Sequence, residues 1–233
     1  LLPPELVFGH AGFQRSCVGT IPAGKRSLIL CSSNLARGPD GRMWVIDDRA
    51  QAPSGAGYAL DNRRVMTRIA PVLFRDCHVR RLAGFFQPMR DRLAQLAPQN
   101  RDDPRIVVLT PGPYSPSYFE HAYLANYLGY TLVQGDDLSV RDGRVWLKSL
   151  EGLHQVDVIL RRLDDAFCDP LELREDSRLG VTGRLQAARL GNVAIANPIG
   201  SGVLENPGLM PFLPGVAKFF LGEELKLPTV ATW

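Results

Sequence analysis

The sequence predicts an α/β protein built in two parts. Residues 1–100 indicate an N-terminal α+β part with a β-hairpin and helices, and residues 101–233 indicate a mostly parallel α/β domain. Two strand-like segments flank an Asp-Gly turn near the N-terminus, and strands alternate with helices beyond residue 104. A polar, proline-flanked stretch at 97–104 separates these two patterns and is the best candidate for a domain boundary. With 233 residues and 45% hydrophobic content, the chain can bury one large core or two small ones.

The hairpin is the first regular structure that we expect. Residues 1 to 24 are rich in Gly and Pro and should be irregular. Residues 27–33 and 42–48 are strand-like, and the segment between them holds a proline and an Asp-Gly pair, which are typical of a turn. A loop of small residues, APSGAG (52–57), follows the second strand. The pattern after it predicts a helix from about Tyr58 to Arg68.

A second helix is expected after Pro71, which interrupts the first. Its apolar residues fall at helical spacing and form one stripe: Leu82, Phe85, Phe86, Met89, Leu93 and Leu96. Pro88 lies inside the stripe, where it can kink the helix, and Pro98 ends it. The stripe is typical of a helix that packs on the protein core rather than on a cofactor.

The second part shows the alternation of an α/β domain. Short apolar runs predict strands at 105–110, 131–134, 156–162 and 193–197. Helices are expected from about Ser117 to a stop at Gly129, near 181–190 and near 207–222. The Asp142-Gly143 pair predicts a hairpin. A sheet of this kind is mostly parallel and binds ligands beyond the carboxyl ends of its strands.

Composition and charge argue against several classes of partner. The net charge of +3 and the scattered arginines do not favour nucleic acid. The four cysteines have no CxxC spacing, so a zinc site is not expected and free thiols in a reducing cytoplasm are the simpler interpretation. No apolar run approaches the roughly 20 residues of a membrane span. The chain starts without Met and stops after an apolar segment, so we expect a fragment of a longer protein; its oligomeric state is not readable.

Charged and flexible residues follow three of the predicted parallel strands, at 110–117, 161–169 and 196–202. Turns of α/β proteins often have this composition without binding a ligand. The second segment differs, because two arginines and two aspartates directly follow an apolar strand, where unpaired charges are costly to bury. The four side chains either pair with one another or hold an anion such as phosphate or carboxylate: they are Arg161, Arg162, Asp164 and Asp165.

The APSGAG loop is a weak signal when only general motifs are considered. It lacks the lysine and hydroxyl of a Walker loop, and it does not fit GxGxxG. A strand, a glycine loop and a helix nevertheless form a common phosphate-binding arrangement, in which Ser54, Gly55 and Gly57 would present backbone N–H groups. The alternative is a tight strand-to-helix turn with no ligand.

Four longer segments together are more specific: WVIDDRAQAPSGAGYALDNR, LTPGPYSPSYFEHAYLANYLGYTLVQGDDL, DVILRRLDDAFCDPLELREDSRLGV and ANPIGSGVLENPGLMPFLPGVAKFFLGEELKLPTVATW. They resemble the circularly permuted ATP-grasp proteins, which are relatives of glutathionylspermidine synthase. The resemblance runs from about Gly38 onward and matches the N-terminal and central part of such proteins. It implies that residues 101–233 form a Rossmann-like pre-ATP-grasp domain, preceded by the N-terminal α+β part of a permuted ATP-grasp domain.

The resemblance implies an ATP-dependent carboxylate–amine ligase. In such enzymes ATP phosphorylates a carboxylate, and an amine then attacks the acyl phosphate to give an amide. The catalytic contribution is mostly positioning and charge neutralisation, with magnesium bridging the phosphates. The substrates would be a small-molecule acid and amine, and Arg161, Arg162, Asp164 and Asp165 would be the catalytic residues. The lysines and the lid that grip ATP come later in this family, so this chain alone is not expected to close around ATP.

The resemblance also implies where magnesium and the phosphates would bind. Better-preserved relatives carry Glu-x-Asn before the glycine loop and an Asp on the partner strand. The matching positions here are Asp47 and Arg49, with Asn34 on the facing strand. The two outer positions of Glu-x-Asn share one face of a strand, so both can reach the same metal. Asp47 is a candidate magnesium ligand through its carboxylate, and Asn34 through its amide oxygen. Arg49 cannot bind a metal, so we expect it to contact a phosphate or a substrate carboxylate, together with the 54–57 loop.

Two other functions stay open at this point. Arg49 at an expected ligand position also favours a protein that has kept the fold, lost catalysis and acts as a binding or assembly module. Without the resemblance, the strand ends would suit any small-molecule enzyme of the α/β class, such as a transferase that uses a nucleotide sugar. The sequence does not identify the acid or the amine.

Overall fold

A parallel sheet lies at the centre of the computed structural model, which describes residues 2–20, 28–98 and 102–232. The strands are β1 Ser32–Arg37, β2 Met43–Arg49, β3 Ile106–Leu109, β4 Thr131–Val133, β5 Leu138–Arg141, β6 Arg144–Ser149, β7 Gly152–Gln155, β8 Val158–Arg161 and β9 Ala194–Ala196. The α-helices are α1 Pro4–Phe8, α2 Ala56–Ile69, α3 Pro71–Asp76, α4 Ala83–Gln95, α5 Tyr118–Leu128, α6 Arg184–Arg189 and α7 Leu213–Leu221. A hairpin followed by a parallel sheet with helices confirms the predicted α/β class.

The parallel sheet has the strand order β4-β3-β8-β9, and each neighbouring pair runs parallel. Strands β3 and β8 are buried along their whole length, which explains why IVVL and VILR contain almost only apolar residues. Successive side chains of β3 point to opposite faces. Val107 and Leu109 pack with α6 and β6, whereas Ile106 and Val108 pack with α4 and α5. The sheet is therefore covered on both faces.

Helix α4 packs on this same sheet. Its turns continue through Pro88, and four residues of the predicted stripe are buried in one cluster with residues of β3 and β8, whereas Phe85 is exposed: the four are Phe86, Met89, Leu93 and Leu96. The stripe thus packs on the core, as expected. The boundary expected at 97–104 lies partly outside the described residues and falls between two elements that share one core. The division at residue 100 stays a prediction.

A small antiparallel sheet has the order β5-β6-β7. The expected turn at Asp142-Gly143 joins β5 to β6, and φ is positive at both residues, 49° and 67°, as a two-residue turn between twisted strands requires. Strand β7 pairs with β6 and was not expected. Its sequence, GLHQ, has neither an apolar run nor a clear alternation, so it gives no local strand signal.

The N-terminal hairpin forms, but its first strand starts later than the sequence suggests. We expected a strand at 27–33, of which residue 27 lies outside the described part; the structure pairs β1, beginning at Ser32, with β2. The strand also extends beyond residue 33, to Arg37, because the turn is short: the Gly38 N–H donates to the Arg42 carbonyl at 2.8 Å, which brings Arg37 opposite Met43.

The chain ahead of β1 is held by the side chain of Asn197, just after β9. Asn197 Oδ1 accepts from the N–H groups of Ile29 and Leu30 at 2.8 and 3.1 Å. Its Nδ2 donates to the carbonyls of Leu30 and Ala50 at 2.6 and 2.7 Å. One amide therefore fastens both ends of the hairpin to the parallel sheet.

The helices differ from expectation mainly at their ends. Helix α2 begins two residues earlier than expected, directly after Gly55, whose φ of +121° turns the chain. The helix expected at 207–222 is divided: Pro207–Phe212 forms 3₁₀ turns and α7 follows, because Pro211 and Pro214 lack the N–H groups of a continuous helix. Helix α1 lies in a segment expected to be irregular. Within the described ranges, no helix is long and apolar enough to cross a membrane.

Candidate functional site

One face of the hairpin carries the residues that the sequence singled out. The register places Asn34 opposite Asp47 and Ser32 opposite Arg49, and alternation puts all four side chains on the same face. On the opposite face of the hairpin, the Ser33 hydroxyl donates to Asp48 Oδ1 at 2.5 Å. The hairpin therefore gives Asp47 and Asp48, adjacent in sequence, different surroundings.

Asp47 is the centre of a small polar cluster. Its Oδ1 accepts from Asn34 Nδ2 at 2.8 Å and lies 3.4 Å from Arg49 Nε. The Arg49 side chain is 55% exposed and the Asp47 side chain 32% exposed. Exposed ion pairs contribute little to stability, so Arg49 can leave Asp47 for a stronger anion at small cost.

A polar cleft of about 330 Å³ opens beside this face of the hairpin. Its lining residues, which define the polar cleft below, are Ser32, Asn34, Arg49, Gln51, Ala52, Pro53, Ser54, Asp164 and Glu205. The cleft thus brings together two residues of β1, the end of β2, the APSGAG loop (residues 52–57, called the glycine loop below) and the turn after β8. Of the residues expected at a site, four line it: Asn34, Arg49, Ser54 and Asp164.

Glu205 and Gln51 form a wall of the polar cleft that the sequence did not reveal. Glu205 Oε1 accepts from the N–H groups of Ala50 and Gln51 at 2.7 and 2.8 Å, and Oε2 accepts from Gln51 Nε2 at 3.2 Å. Gln51 Oε1 in turn accepts from the Asp165 N–H at 2.9 Å. Glu205 thus fixes the chain that leaves β2. The partners lie 154 and 155 residues apart, so no local pattern indicates them.

The glycine loop donates two backbone hydrogen bonds to a carboxylate of the protein itself. Glu120 Oε1, on α5, accepts from the N–H groups of Gly55 and Gly57 at 2.7 and 2.9 Å. Glu120 is fully buried. A Cβ at position 57 would lie 2.6 Å from Glu120 Cγ, so the contact requires glycine there. Phosphate binding by Gly55 and Gly57 stays a prediction, and it requires that Glu120 release both N–H groups.

Arg162 lies beneath the same loop. Its Nη2 donates to the Pro53 carbonyl at 2.6 Å and lies 3.8 Å from Glu120 Oε2. Burial lowers the pKa of the Arg162 guanidinium, and the Glu120 carboxylate opposes that shift. Neither Arg162 Nε nor Glu120 Oε2 has a hydrogen-bond partner among the described residues. The pair supports the loop from inside and does not line the polar cleft.

Arg161 is fully buried and does not line the polar cleft. Its guanidinium donates to the carbonyls of Leu163, Asn197 and Pro198 and to Ser201 Oγ, at 2.6, 2.7, 2.9 and 2.9 Å. It also pairs with Asp165 Oδ1 at 2.5 Å. Burial raises the pKa of the Asp165 carboxyl, and the Arg161 charge opposes that rise. Of the four charged residues after β8, only Asp164 is exposed and lines the polar cleft. Catalysis by Arg161, Arg162 and Asp165 stays a prediction.

Comparison with known proteins assigns the family. The sequence profile described as circularly permuted ATP-grasp type 2 matches residues 1–233, which is the whole chain. The chain belongs to this family. The resemblance inferred from its segments is therefore confirmed.

Several relatives of this ATP-grasp chain carry only the name uncharacterised protein. One from Mycobacterium tuberculosis (strain H37Rv) is 45% identical over 233 residues, which is all of this chain and 26% of that protein. A second from the same strain is 40% identical over 232 residues and 42% of its length. One from Synechocystis is 37% identical over 233 residues and 48% of its length. The chain spans about a quarter to a half of these relatives, and their names give no reaction.

Magnesium, which ATP-grasp enzymes generally use, has only part of a site here. No group of three His, Cys, Asp or Glu residues suited to a metal occurs in the described part of this ATP-grasp chain. Asp47 and Asn34 offer carboxylate and amide oxygens on one face, a donor set that suits a magnesium ion completed by water and phosphate oxygens. Arg49 competes for the same Asp47 oxygen. The donor chemistry of these two side chains suits magnesium, while Asn34 presents its Nδ2 to Asp47, so binding of the ion by Asp47 and Asn34 stays a prediction.

Proposed function

We propose that this chain is part of an ATP-dependent ligase that joins a carboxylic acid to an amine through an acyl phosphate. The family suggests ligase-type activity that uses ATP, while the reaction is our proposal. The observation that carries it is the exposed guanidinium of Arg49, which lines the polar cleft with Asn34 and lies 3.4 Å from Asp47 Oδ1. Since the chain spans only part of its relatives, the proposal concerns a larger protein to which this chain contributes the cleft.

In the proposed reaction, an oxygen of the acid attacks the terminal phosphorus of ATP and ADP leaves. The amine nitrogen then attacks the carbonyl carbon, phosphate leaves, and the amine loses a proton. Arg49 binds the anionic carboxylate or the transferring phosphoryl group, because its planar guanidinium donates two bonds at once. Ser54 donates a hydroxyl hydrogen bond from the loop. Asp164 attracts the ammonium form of the amine and orients it, and the ammonium loses one proton before the neutral nitrogen attacks.

Asp47 and Asn34 would hold magnesium, which supplies charge neutralisation at the phosphates when bound. Asp47 also sets the position of Arg49 through their 3.4 Å contact. Three other charged side chains have a different task. Arg161, Asp165 and Glu205 fix the chain segments from which the cleft residues project, so the cleft is organised before a substrate enters.

The test uses the longest native form of the protein. Calorimetric titration with ATP, with and without magnesium, is followed by measurement of ADP and phosphate release with mixtures of acids and amines. Asp47→Ala should lower turnover by about 100-fold or more, in line with the loss of a group that stabilises transferring charge. Asp48→Ala is the matched control, because its side chain lies on the other face of the same strand. Equal turnover in the two variants would remove Asp47 from the mechanism.

A degenerate binding or assembly module is the second candidate function. Two observations favour it: Arg49 pairs with Asp47, and Glu120 takes the N–H groups of the glycine loop. This function predicts a folded protein that binds no ATP in either condition and releases no phosphate with any acid and amine. Magnesium-dependent binding in the titration would exclude it.

A further inference from the structure

An apolar cavity of about 310 Å³ adjoins the polar cleft. Ser32, Pro53 and Ser54 line both spaces, so a single wall separates them. Ligand pockets in proteins commonly have volumes of about 300–1,000 Å³, which places this cavity at the lower limit. Its volume suits one side chain or acyl group rather than a whole nucleotide.

The lining of this cavity is apolar. Leu30 and Phe86 are buried in it, with 6% and 1% of their surface exposed, while Ala59 and Phe85 lie at more exposed positions. None of the described lining residues carries a charged side chain. An apolar group that enters the cavity would therefore leave water without displacing an ion pair.

The chemistry changes across the shared wall. On the far side, the polar cleft contains Arg49, whose guanidinium suits a carboxylate, and the exposed Asp164. A molecule whose apolar group lies in the cavity would pass along Pro53 and Ser54, which line both spaces, and its polar end would lie in the cleft. This arrangement matches an amphiphilic acid.

We propose that the apolar cavity binds the hydrocarbon or aromatic group of the acyl-donor substrate, a carboxylic acid whose carboxylate reaches Arg49 in the polar cleft. The role of this acid as acyl donor rests on the proposed ligase function, whereas its binding can be measured without turnover. Each methylene that the cavity accepts should strengthen binding about fourfold, so affinity should rise along a series of straight-chain acids until the cavity is full.

The chain contains its own reporter and control for this site. Cys31 is an exposed free thiol that lines the cavity, and Cys77 is an exposed free thiol at the end of α3 that does not. Burial and the nearby Asp48 raise the pKa of Cys31, so alkylation is best measured at alkaline pH, where the reactive thiolate is populated.

The experiment measures alkylation of both thiols by iodoacetamide in the longest native form of the protein, with peptide mass spectrometry as readout. The probes are acetate, butyrate, hexanoate and phenylacetate. We expect hexanoate and phenylacetate to slow alkylation of Cys31 at least about fivefold near saturation, since only the free state reacts. Acetate should have no effect, and Cys77 should react at the same rate throughout. Protection without any ATP-dependent phosphate release would support the cavity and count against the ligase.

Filling the cavity gives a second test. Ala59→Trp places a large side chain at an exposed lining position of α2, so it should fold and should abolish protection of Cys31. Arg64→Trp adds the same bulk at an exposed position of α2 outside the lining and should leave protection intact. The proposal is overturned if no apolar acid protects Cys31 better than acetate, if Cys77 is protected equally, or if adenosine alone protects Cys31.

Discussion

Replacing Glu120 tests whether a carboxylate of the protein holds the glycine loop. Glu120→Ala removes the acceptor that binds the N–H groups of Gly55 and Gly57 at 2.7 and 2.9 Å. It also leaves Arg162, buried and 3.8 Å from Glu120 Oε2, without its counter-charge. Glu120→Gln keeps an oxygen for the two N–H groups and removes only the charge. The two variants therefore separate hydrogen bonding from charge.

The expected losses follow from these contacts. Removing one partner of a buried ion pair typically costs about 3–5 kcal/mol, so Glu120→Ala should lower the free energy of unfolding by about that amount. Glu120→Gln should cost about 1–3 kcal/mol, because hydrogen bonds to a charged acceptor become bonds to a neutral one. Glu151→Ala, at an exposed position, should stay within about 0.5 kcal/mol of the wild type.

Urea unfolding measures these free energies, and amide hydrogen exchange locates the effect. In Glu120→Ala the Gly57 N–H should exchange at least about tenfold faster than in the wild type, because its partner is gone and the loop opens locally. Losses below about 0.5 kcal/mol in both Glu120 variants, with unchanged exchange at Gly57, would refute the assignment of Glu120 as the acceptor that organises the loop.

Two further predictions concern the same region. Gly57→Ala should destabilise the protein by about 1–3 kcal/mol in urea unfolding, because its Cβ would lie 2.6 Å from Glu120 Cγ. The control is Gly84→Ala, in a helix with no atom within 4 Å of the new Cβ, which should be neutral or stabilising. An unchanged free energy of unfolding in Gly57→Ala would contradict the packing of Gly57 against Glu120. Burial and then Arg162 lower the pKa of His121 to about 4 from 6.5, so the folded state disfavours its proton. The neutral His121 side chain thus contributes stability that is fully present above pH 6.5 and is lost as the pH falls to about 4. The free energy of unfolding falls by up to about 3 kcal/mol over this range. The difference in unfolding free energy between wild type and His121→Gln should therefore shrink over that range, and a pH-independent difference would exclude His121 as its source.

The fold could be predicted from the sequence where the signal is local. The apolar runs of β3 and β8 gave their strands, and the Asp142-Gly143 pair gave a turn, because burial on both faces and positive φ each select particular residues. Strand β7 was missed since it depends on pairing with β6 rather than on its own composition. The start of β1 was wrong, because a side chain of Asn197 takes backbone groups that local reasoning assigned to a strand.

The residues of the candidate site also differ in how far the sequence alone could predict their roles. The resemblance placed Asn34 on the strand that faces Asp47, and the structure pairs the two residues, although the strand expected at 27–33 ended before Asn34. For the charges after β8 the sequence left two alternatives, mutual pairing or an anion, and the structure pairs Arg161 with Asp165. Glu120 and Glu205 bind backbone groups 63 to 155 residues away. Their roles follow only from the tertiary structure.

The amide of Asn197 also constrains the order in which the chain can become native during synthesis. The hairpin emerges from the ribosome early, but the side chain that fastens its two ends is 147 to 168 residues further along. At about 5–20 residues per second, the hairpin waits roughly 7–30 s for that anchor. During this interval the two ends of the hairpin lack the amide that later binds them, and β2 also lacks residues 228–230, which later pair with Val45. A ribosome-bound nascent chain therefore carries this hairpin unfastened, and open to proteases, until the segment after β9 has emerged.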